Sequence, residues 1–233
     1  MKNIIIASTS TVYNKPYLSY MTNEVVDLFS QIDEIVFVPY ARPGGISHDE
    51  YTAKVALFFK DLNIKVKGLH TFENPHAAVQ SAKGFFVGGG NTFVLLDMLY
   101  KLDLIASITD AVKSGTPYMG TSAGSNLCGL TVQNTNDMPI VYPPSFKSFG
   151  FLPFNINPHY LDPVEGSTHM GETRETRIKE FHAYNNTPVV GLREGSWLRV
   201  HGDQVLLKGG LSARIFEKDK APYEVEDGSL LRF

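Results

Sequence analysis

The first half of the chain alternates short β-branched, apolar runs with longer stretches whose apolar residues recur at helical spacing. This rhythm restricts it to βαβ units feeding a parallel sheet. The runs are Asn3 to Ala7, Glu34 to Val38, Lys65 to Leu69, Gly84 to Val87 and Pro117 to Gly120. All are short and apolar, as strands covered on both faces must be. Between them, Tyr17 to Phe29, Asp49 to Asp61, Pro75 to Ser81, Thr92 to Tyr100 and its continuation Leu104 to Ser114 read as helices. Asn74 before Pro75 and Asn91 before Thr92 are predicted N-caps. The expected architecture is an α/β, doubly wound, mostly parallel sheet with helices on both faces. Such sheets bind ligands beyond the carboxyl ends of their strands.

After Leu130 the pattern gives way to a polar, proline-bearing stretch, Asn134-Thr135-Asn136-Asp137-Met138-Pro139, in which regular structure is weak. Gly171 to Tyr184 recovers helical spacing. Val189 to Leu192, Ser196 to His201, Gln204 to Lys208 and Ala213 to Glu217 read as short strands, predicting a C-terminal antiparallel meander that extends the sheet. With no internal repeat, low-complexity tract or long linker, residues 1–233 read as one domain.

A formal net charge of −3 leaves no global basic surface for a phosphate backbone, so nucleic acid is not an expected partner. The one cysteine, Cys128, has no internal disulfide partner, which suits a reducing compartment. The N-terminal run Ile4-Ile5-Ile6-Ala7 is too short for a signal peptide or a membrane span and reads as a first strand. Cytoplasm is the expected location, with no membrane partner.

Gly120-Thr121-Ser122-Ala123-Gly124 follows a predicted strand and precedes a helix-like stretch, the setting in which G-x-S-x-G forms a nucleophile elbow. Glycines suit a sharp strand-to-helix turn because they lack Cβ. Ser122 would then stand clear of the sheet, and the Ala123 amide would point at an oxyanion. Gly88-Gly89-Gly90-Asn91 ends the preceding strand, so backbone amides from both turns could converge as an oxyanion hole. A dinucleotide fingerprint fails at Phe93, and no Gly-Lys-Ser/Thr completes a phosphate loop. The plain alternative is a tight turn opening a helix.

A serine nucleophile needs a base, and the histidines are His48, His70, His76, His159, His169, His182 and His201. His159 stands out modestly above His169 and His182, because it follows the apolar stretch Phe151-Leu152-Pro153-Phe154 in a loop that could hold its imidazole. Two carboxylates compete to orient the base: Asp137 in the irregular segment and Glu194 after a predicted strand. Glu172-Thr173-Arg174-Glu175-Thr176-Arg177 opens a helical stretch, and Arg174 lies near its start, where the dipole favours acids, a misfit that suits a cation kept for a substrate carboxylate. There is no H-E-x-x-H, no C-x-x-C and no carboxylate cluster at ligand spacing, so neither a metal nor a cofactor is expected.

These segments together resemble the peptidase E family of α-aspartyl dipeptidases, serine peptidases whose fold is related to the class I glutamine amidotransferases. The resemblance rests on Val87-Gly88-Gly89-Gly90-Asn91-Thr92-Phe93, Ser122-Ala123-Gly124, Thr135-Asn136-Asp137-Met138-Pro139-Ile140, Ile156-Asn157-Pro158-His159 and Gly171-Glu172-Thr173-Arg174-Glu175. It implies a flavodoxin-like, amidotransferase-like sheet, Ser122 as nucleophile, and His159 as general base and acid. It further implies an oxyanion hole from residues 88–90 with Ala123, and Arg174 on the side chain of an N-terminal aspartate. Asp137 and Glu194 both remain candidates for the third catalytic position. The implied substrates are small acidic dipeptides, Asp-X. The competing readings are a cyanophycinase-like hydrolase and a non-catalytic small-molecule binding domain of the same fold.

Overall fold

The computed structural model describes residues 1–163, 166, 168 and 170–233. His169 lies outside the described residues. Strands β1 (Asn3–Ala7), β2 (Glu34–Val38), β3 (Lys65–Gly68), β4 (Phe85–Val87) and β5 (Tyr118–Thr121) are mutually parallel, in the order β3-β2-β4-β5-β1. Two-residue alternation divides their side chains between two apolar layers. Ile4, Ile6, Val36, Val38, Phe85 and Val87 join one layer; Ile5, Ala7, Ile35, Phe37, Phe86 and Met119 join the other.

Helices α1 (Thr22–Leu28) and α2 (His48–Lys60) cover the second layer with Val25, Leu28, Tyr51, Val55 and Phe59. Helices α3 (Pro75–Ser81), α4 (Thr92–Lys101) and α5 (Ile105–Ser114) cover the first. The caps read from sequence form: the side chain of Asn74 accepts from Ala77 N, and that of Asn91 from Val94 N. The helix expected over Tyr17 to Phe29 is shorter. Leu18 takes φ 54°, a 3-10 turn occupies Ser19–Met21, and α1 begins only at Thr22.

The C-terminal region departs further from expectation. A short helix α6 (Ala123–Asn126) follows β5, and β6 (Asn155–Pro158) is a strand that the sequence pattern did not indicate. After α7 (Arg174–Tyr184) come β7 (Val189–Leu192), β8 (Trp197–His201), β9 (Gln204–Lys208), β10 (Ala213–Phe216) and β11 (Tyr223–Val225). Only β8 and β9 extend the main sheet, antiparallel beside β1. The remainder form a second sheet, β11-β10-β7-β6, in which β6 and β7 are parallel. At Gly209 and Gly210, with φ 117° and 81°, the chain leaves β9 for this second sheet. No helix among the described residues is long and apolar enough to cross a membrane.

The second sheet is laced by charge. Arg193 holds Asp162 through two bonds of 2.7 and 2.8 Å and reaches Glu224 on β11 at 2.9 Å. Arg214 on β10 joins Glu224 at 3.1 Å to Glu175 of α7 at 3.0 Å. Hydrogen bonding from Arg193 holds the Glu224 carboxyl down, from its ordinary 4.5 to about 2, against the opposing effect of burial. A depressed carboxylate stabilises the fold above its unfolded pKa and loses that contribution as pH falls through its folded one. Stability is therefore expected to fall between pH 4.5 and about 2, and Glu224→Gln to flatten that fall. Thermal unfolding across this range measures it; an unchanged slope in the variant would contradict it.

Candidate active site

The carboxyl end of β5 lies centrally, between β4 and β1, and there the chain turns into α6 through Ser122. Ser122 adopts φ 52°, ψ −109°, a backbone conformation that L-residues sustain only when their surroundings enforce it. The enforcement is visible. A Cβ on Gly120 would lie 2.5 Å from Gly124 O, and one on Gly124 would lie 2.3 Å from Val87 O. The fully buried Ser125 donates to Ala7 O at 2.6 Å and to Gly120 O at 2.9 Å, while Ser122 N donates to Ala7 O at 3.1 Å. The turn is thus cross-braced to two strands, and the Ser122 side chain projects from it, half-buried.

His159 follows β6, with φ 54°. Its Nε2 lies 2.9 Å from Ser122 Oγ, and its Nδ1 lies 2.5 Å from Glu194 Oε1. An ionised carboxylate can only accept, so Nδ1–H donates to Glu194 and Nε2 is left to accept the Ser122 hydroxyl proton. His159 and Glu194 meet because β6 and β7 are parallel neighbours with Pro158 opposite Leu192. Their side chains are 36% and 47% exposed, so the relay is open to solvent.

Asp137 is placed elsewhere. Its Oδ2 accepts from Thr92 N at 2.7 Å at the start of α4, where a carboxylate complements the helix dipole. Among the described residues it makes no hydrogen bond or ion pair with His159. Its neighbours form a strap between α4 and β6. Asn91 Nδ2 donates to Met138 O, Asn136 Nδ2 to Pro158 O and Asn134 Nδ2 to Ile156 O, each at 2.9 Å. The segment that looked irregular in sequence is therefore a fixed bracket for the strand bearing His159.

Of the glycine turn, Gly88 N donates to Val38 O at 3.2 Å and is not available as an oxyanion donor. The amides of Gly89, Gly90 and Ala123 donate to no protein acceptor among the described residues. A Cβ on Gly89 would stand 3.0 Å from Ser122 Cβ, so this turn and the elbow are in contact.

Arg174 is the first residue of α7, part-buried, and no carboxylate among the described residues lies within ion-pair distance of it. Burial and then the like charge of Arg177 lower its pKa, while Asp137 opposes them. A guanidinium nonetheless stays charged at any working pH. The other described histidines have partners elsewhere. His182 is buried against Thr187 O at 2.9 Å, His70 pairs with Asp49 at 2.8 Å, His48 packs on Tyr40, His76 lies 3.5 Å from Ser107, and His201 ends β8. Among the described residues no group of three His, Cys, Asp or Glu side chains is arranged to hold a metal.

Ser8 was not singled out in the sequence. Fully buried at the end of β1, its Oγ accepts from His159 N at 2.9 Å and donates to Leu192 O at 2.7 Å. It fastens both strands of the relay to the main sheet. The signal was a polar pair, Ser8-Thr9, directly after an apolar run at a strand's carboxyl end.

Comparison with known proteins adds to this geometry. The model of peptidase family S51 matches residues 4–208. The chain is 48% identical over 227 residues to peptidase E of Streptomyces coelicolor, covering 97% of this chain and 92% of the relative. It is 44% identical over 227 residues to a Drosophila melanogaster protein named "Probable alpha-aspartyl dipeptidase", covering 96% and 93%. Among solved structures, a peptidase from an acI-B1 Actinobacterium matches with a TM-score of 0.73 at 16% identity, covering 100% of this chain and 97% of the other. At that identity the likeness concerns the fold.

Ser8→Ala leaves the His159 amide without its partner and takes from the Leu192 carbonyl, which also accepts from Tyr160 N at 3.2 Å, its shorter bond, so a loss of about 1–3 kcal/mol is expected. Denaturant unfolding measures it, and a change under about 0.5 kcal/mol, the range of ordinary surface substitutions, would contradict the role given to Ser8.

Proposed function

The chain belongs to peptidase family S51 and is a serine-type peptidase, and from that premise we propose that it hydrolyses Asp-X dipeptides through an acyl-enzyme on Ser122. The observation that carries the proposal is the continuous chain Ser122 Oγ, His159 Nε2, His159 Nδ1, Glu194 Oε1, with separations of 2.9 and 2.5 Å.

In this mechanism Ser122 Oγ attacks the carbonyl carbon of the aspartyl residue as its proton passes to His159 Nε2. Glu194 holds the imidazole in the tautomer that can accept this proton and stabilises the imidazolium that results. The carbonyl oxygen, now an oxyanion, faces the amides of the 89–90 turn and of Ala123, donors fixed before the reaction begins. His159 returns its proton to the departing amine of X, the C–N bond breaks, and an aspartyl ester remains on Ser122. Water then repeats the sequence. It gives its proton to His159 as it attacks the ester, and Ser122 Oγ leaves with that proton to release aspartate. No metal or cofactor takes part.

Arg174 is the proposed acceptor of the substrate's side-chain carboxylate. What supports this is a part-buried cation at a helix start, without a carboxylate partner among the described residues, in a position where the dipole disfavours it. Asp137 is proposed to act on the Arg174 side of the site rather than on His159, since its charge acts on Arg174 and its oxygen caps α4.

A dipeptide panel tests the proposal. Ser122→Ala is expected to lower kcat on Asp-Leu on the order of 10⁶-fold, as removal of a serine nucleophile does elsewhere. Activity retained within about a hundredfold would exclude an acyl-enzyme on Ser122. Arg174→Ala is expected to lower kcat/KM for Asp-Leu about 10- to 100-fold, the worth of a charge-assisted hydrogen bond, while changing Ala-Leu far less. Equal losses on both dipeptides would remove Arg174 from aspartate recognition.

A further inference from the structure

The Gly89 carbonyl is held by two side-chain donors. Tyr51 Oη donates to it at 3.1 Å and Arg42 Nε at 3.2 Å. Both come from one side of the turn: Arg42 from the loop after β2, and Tyr51 from the first turns of α2. In the sheet order β2-β4-β5, the turn after β4 lies between that loop and the elbow. The Gly89–Gly90 peptide is trans, and a planar trans peptide directs its oxygen and its N–H in opposite directions. An oxygen fixed toward Tyr51 and Arg42 therefore directs the Gly90 N–H away from them.

The surroundings allow little other arrangement of the peptide. Gly90 takes φ 145°, a Cβ there would lie 2.1 Å from Ala41 O, and Asn91 N donates to that same oxygen at 2.7 Å. Tyr51 is itself immobile, 2% exposed and edge-on to Phe37 at 4.9 Å. The Arg42 guanidinium lies 5.4 Å from the centre of the Tyr51 ring, so the two donors also support each other.

We propose that Arg42 and Tyr51 are positioning residues of the oxyanion hole: by occupying both lone pairs of the Gly89 carbonyl they hold the Gly90 N–H on the oxyanion. A carbonyl oxygen has two acceptor sites, so either donor alone still biases the peptide, and only loss of both frees it to turn. Neither residue touches the reacting atoms. Their effect is on the transition state, where negative charge develops, and hence on kcat rather than on KM. The inference rests on the acyl-enzyme reading of Ser122.

The test is a double-mutant cycle on Asp-Leu hydrolysis with Arg42→Ala, Tyr51→Phe and the pair, each with its thermal midpoint recorded. Each single change is expected to lower kcat measurably, by about two- to fivefold. The pair is expected to lower it on the order of 10²-fold, approaching the loss of one oxyanion donor, with KM within about twofold of wild type. A loss carried by KM, or a double variant no slower than the product of its singles, would overturn the proposal. Should the double variant fail to fold, Arg42→Ala alone decides, because Arg42 is exposed. Its affinity for an aspartyl aldehyde, which forms a tetrahedral adduct on serine, should fall by the same factor as kcat; unchanged aldehyde affinity would overturn the proposal. An inactive wild type or an active Ser122→Ala would strike the acyl-enzyme reading itself, whereas failure of the cycle in an active enzyme strikes this inference alone.

Discussion

Everything in the site is arranged around the left-handed backbone angle at Ser122. A strand that turns into a helix within one residue brings Gly120 against Gly124 and Gly124 against Val87, so the elbow tolerates no Cβ at either end. Ser125 contributes one hydroxyl to two strands to hold the turn closed. A strained conformation survives only where its surroundings over-determine it. Here those surroundings are the three adjacent parallel strands β4, β5 and β1, whose apolar side chains pack on both faces of the sheet.

The proposed nucleophile belongs to one sheet and its proposed base to another, so the proposed chemistry depends on how the two are joined. Ser8 bonds the end of β1 to both β6 and β7. The asparagine strap bonds the start of α4 to β6 from the other side. The Arg193 network then holds Asp162, β10, β11 and, through Arg214, the first turn of α7 that carries Arg174. The two of these bonds that are buried, Ser8 to Leu192 O and Asn134 to Ile156 O, contribute little net stability each, yet leaving one unmade is costly, which favours a single geometry at the joint.

Much of this was legible in the sequence, and the limits have physical causes. The inner parallel strands were readable because burial on both faces makes them apolar runs, whereas edge strand β3 exposes Lys65 and Lys67; strands Asn3–Ala7 and Glu34–Val38 and helix Pro75–Ser81 begin and end where the pattern placed them. Strand β6 was not readable. Two of its four residues are Asn and one is Pro, types depleted in strands, and Asn155 and Asn157 use their buried side chains to bond the neighbouring segment. Without β6 the second sheet could not be anticipated, nor could the contact of His159 with Glu194 rather than Asp137, on which the proposed relay rests and which follows from the parallel pairing of Pro158 with Leu192. Gly88 looked equivalent to Gly89 and Gly90 until its amide was found in the sheet ladder. Arg42, Tyr51 and Ser8 act through hydrogen bonds between residues far apart in the chain, which no local pattern records.

The most direct measurement on the proposed relay is the single-turnover rate of an Asp-X dipeptide at saturating concentration, in Glu194→Gln beside Asp137→Asn. Loss of the orienting carboxylate costs about 10⁴ in a buried serine triad. Water can take part of the place of the half-exposed Glu194, so a fall of at least about 100-fold is expected for Glu194→Gln, with Asp137→Asn the milder of the two once substrate is bound. A Glu194→Gln enzyme within about tenfold of wild type, beside an Asp137→Asn enzyme that has lost the chemical step, would contradict the Ser122–His159–Glu194 assignment.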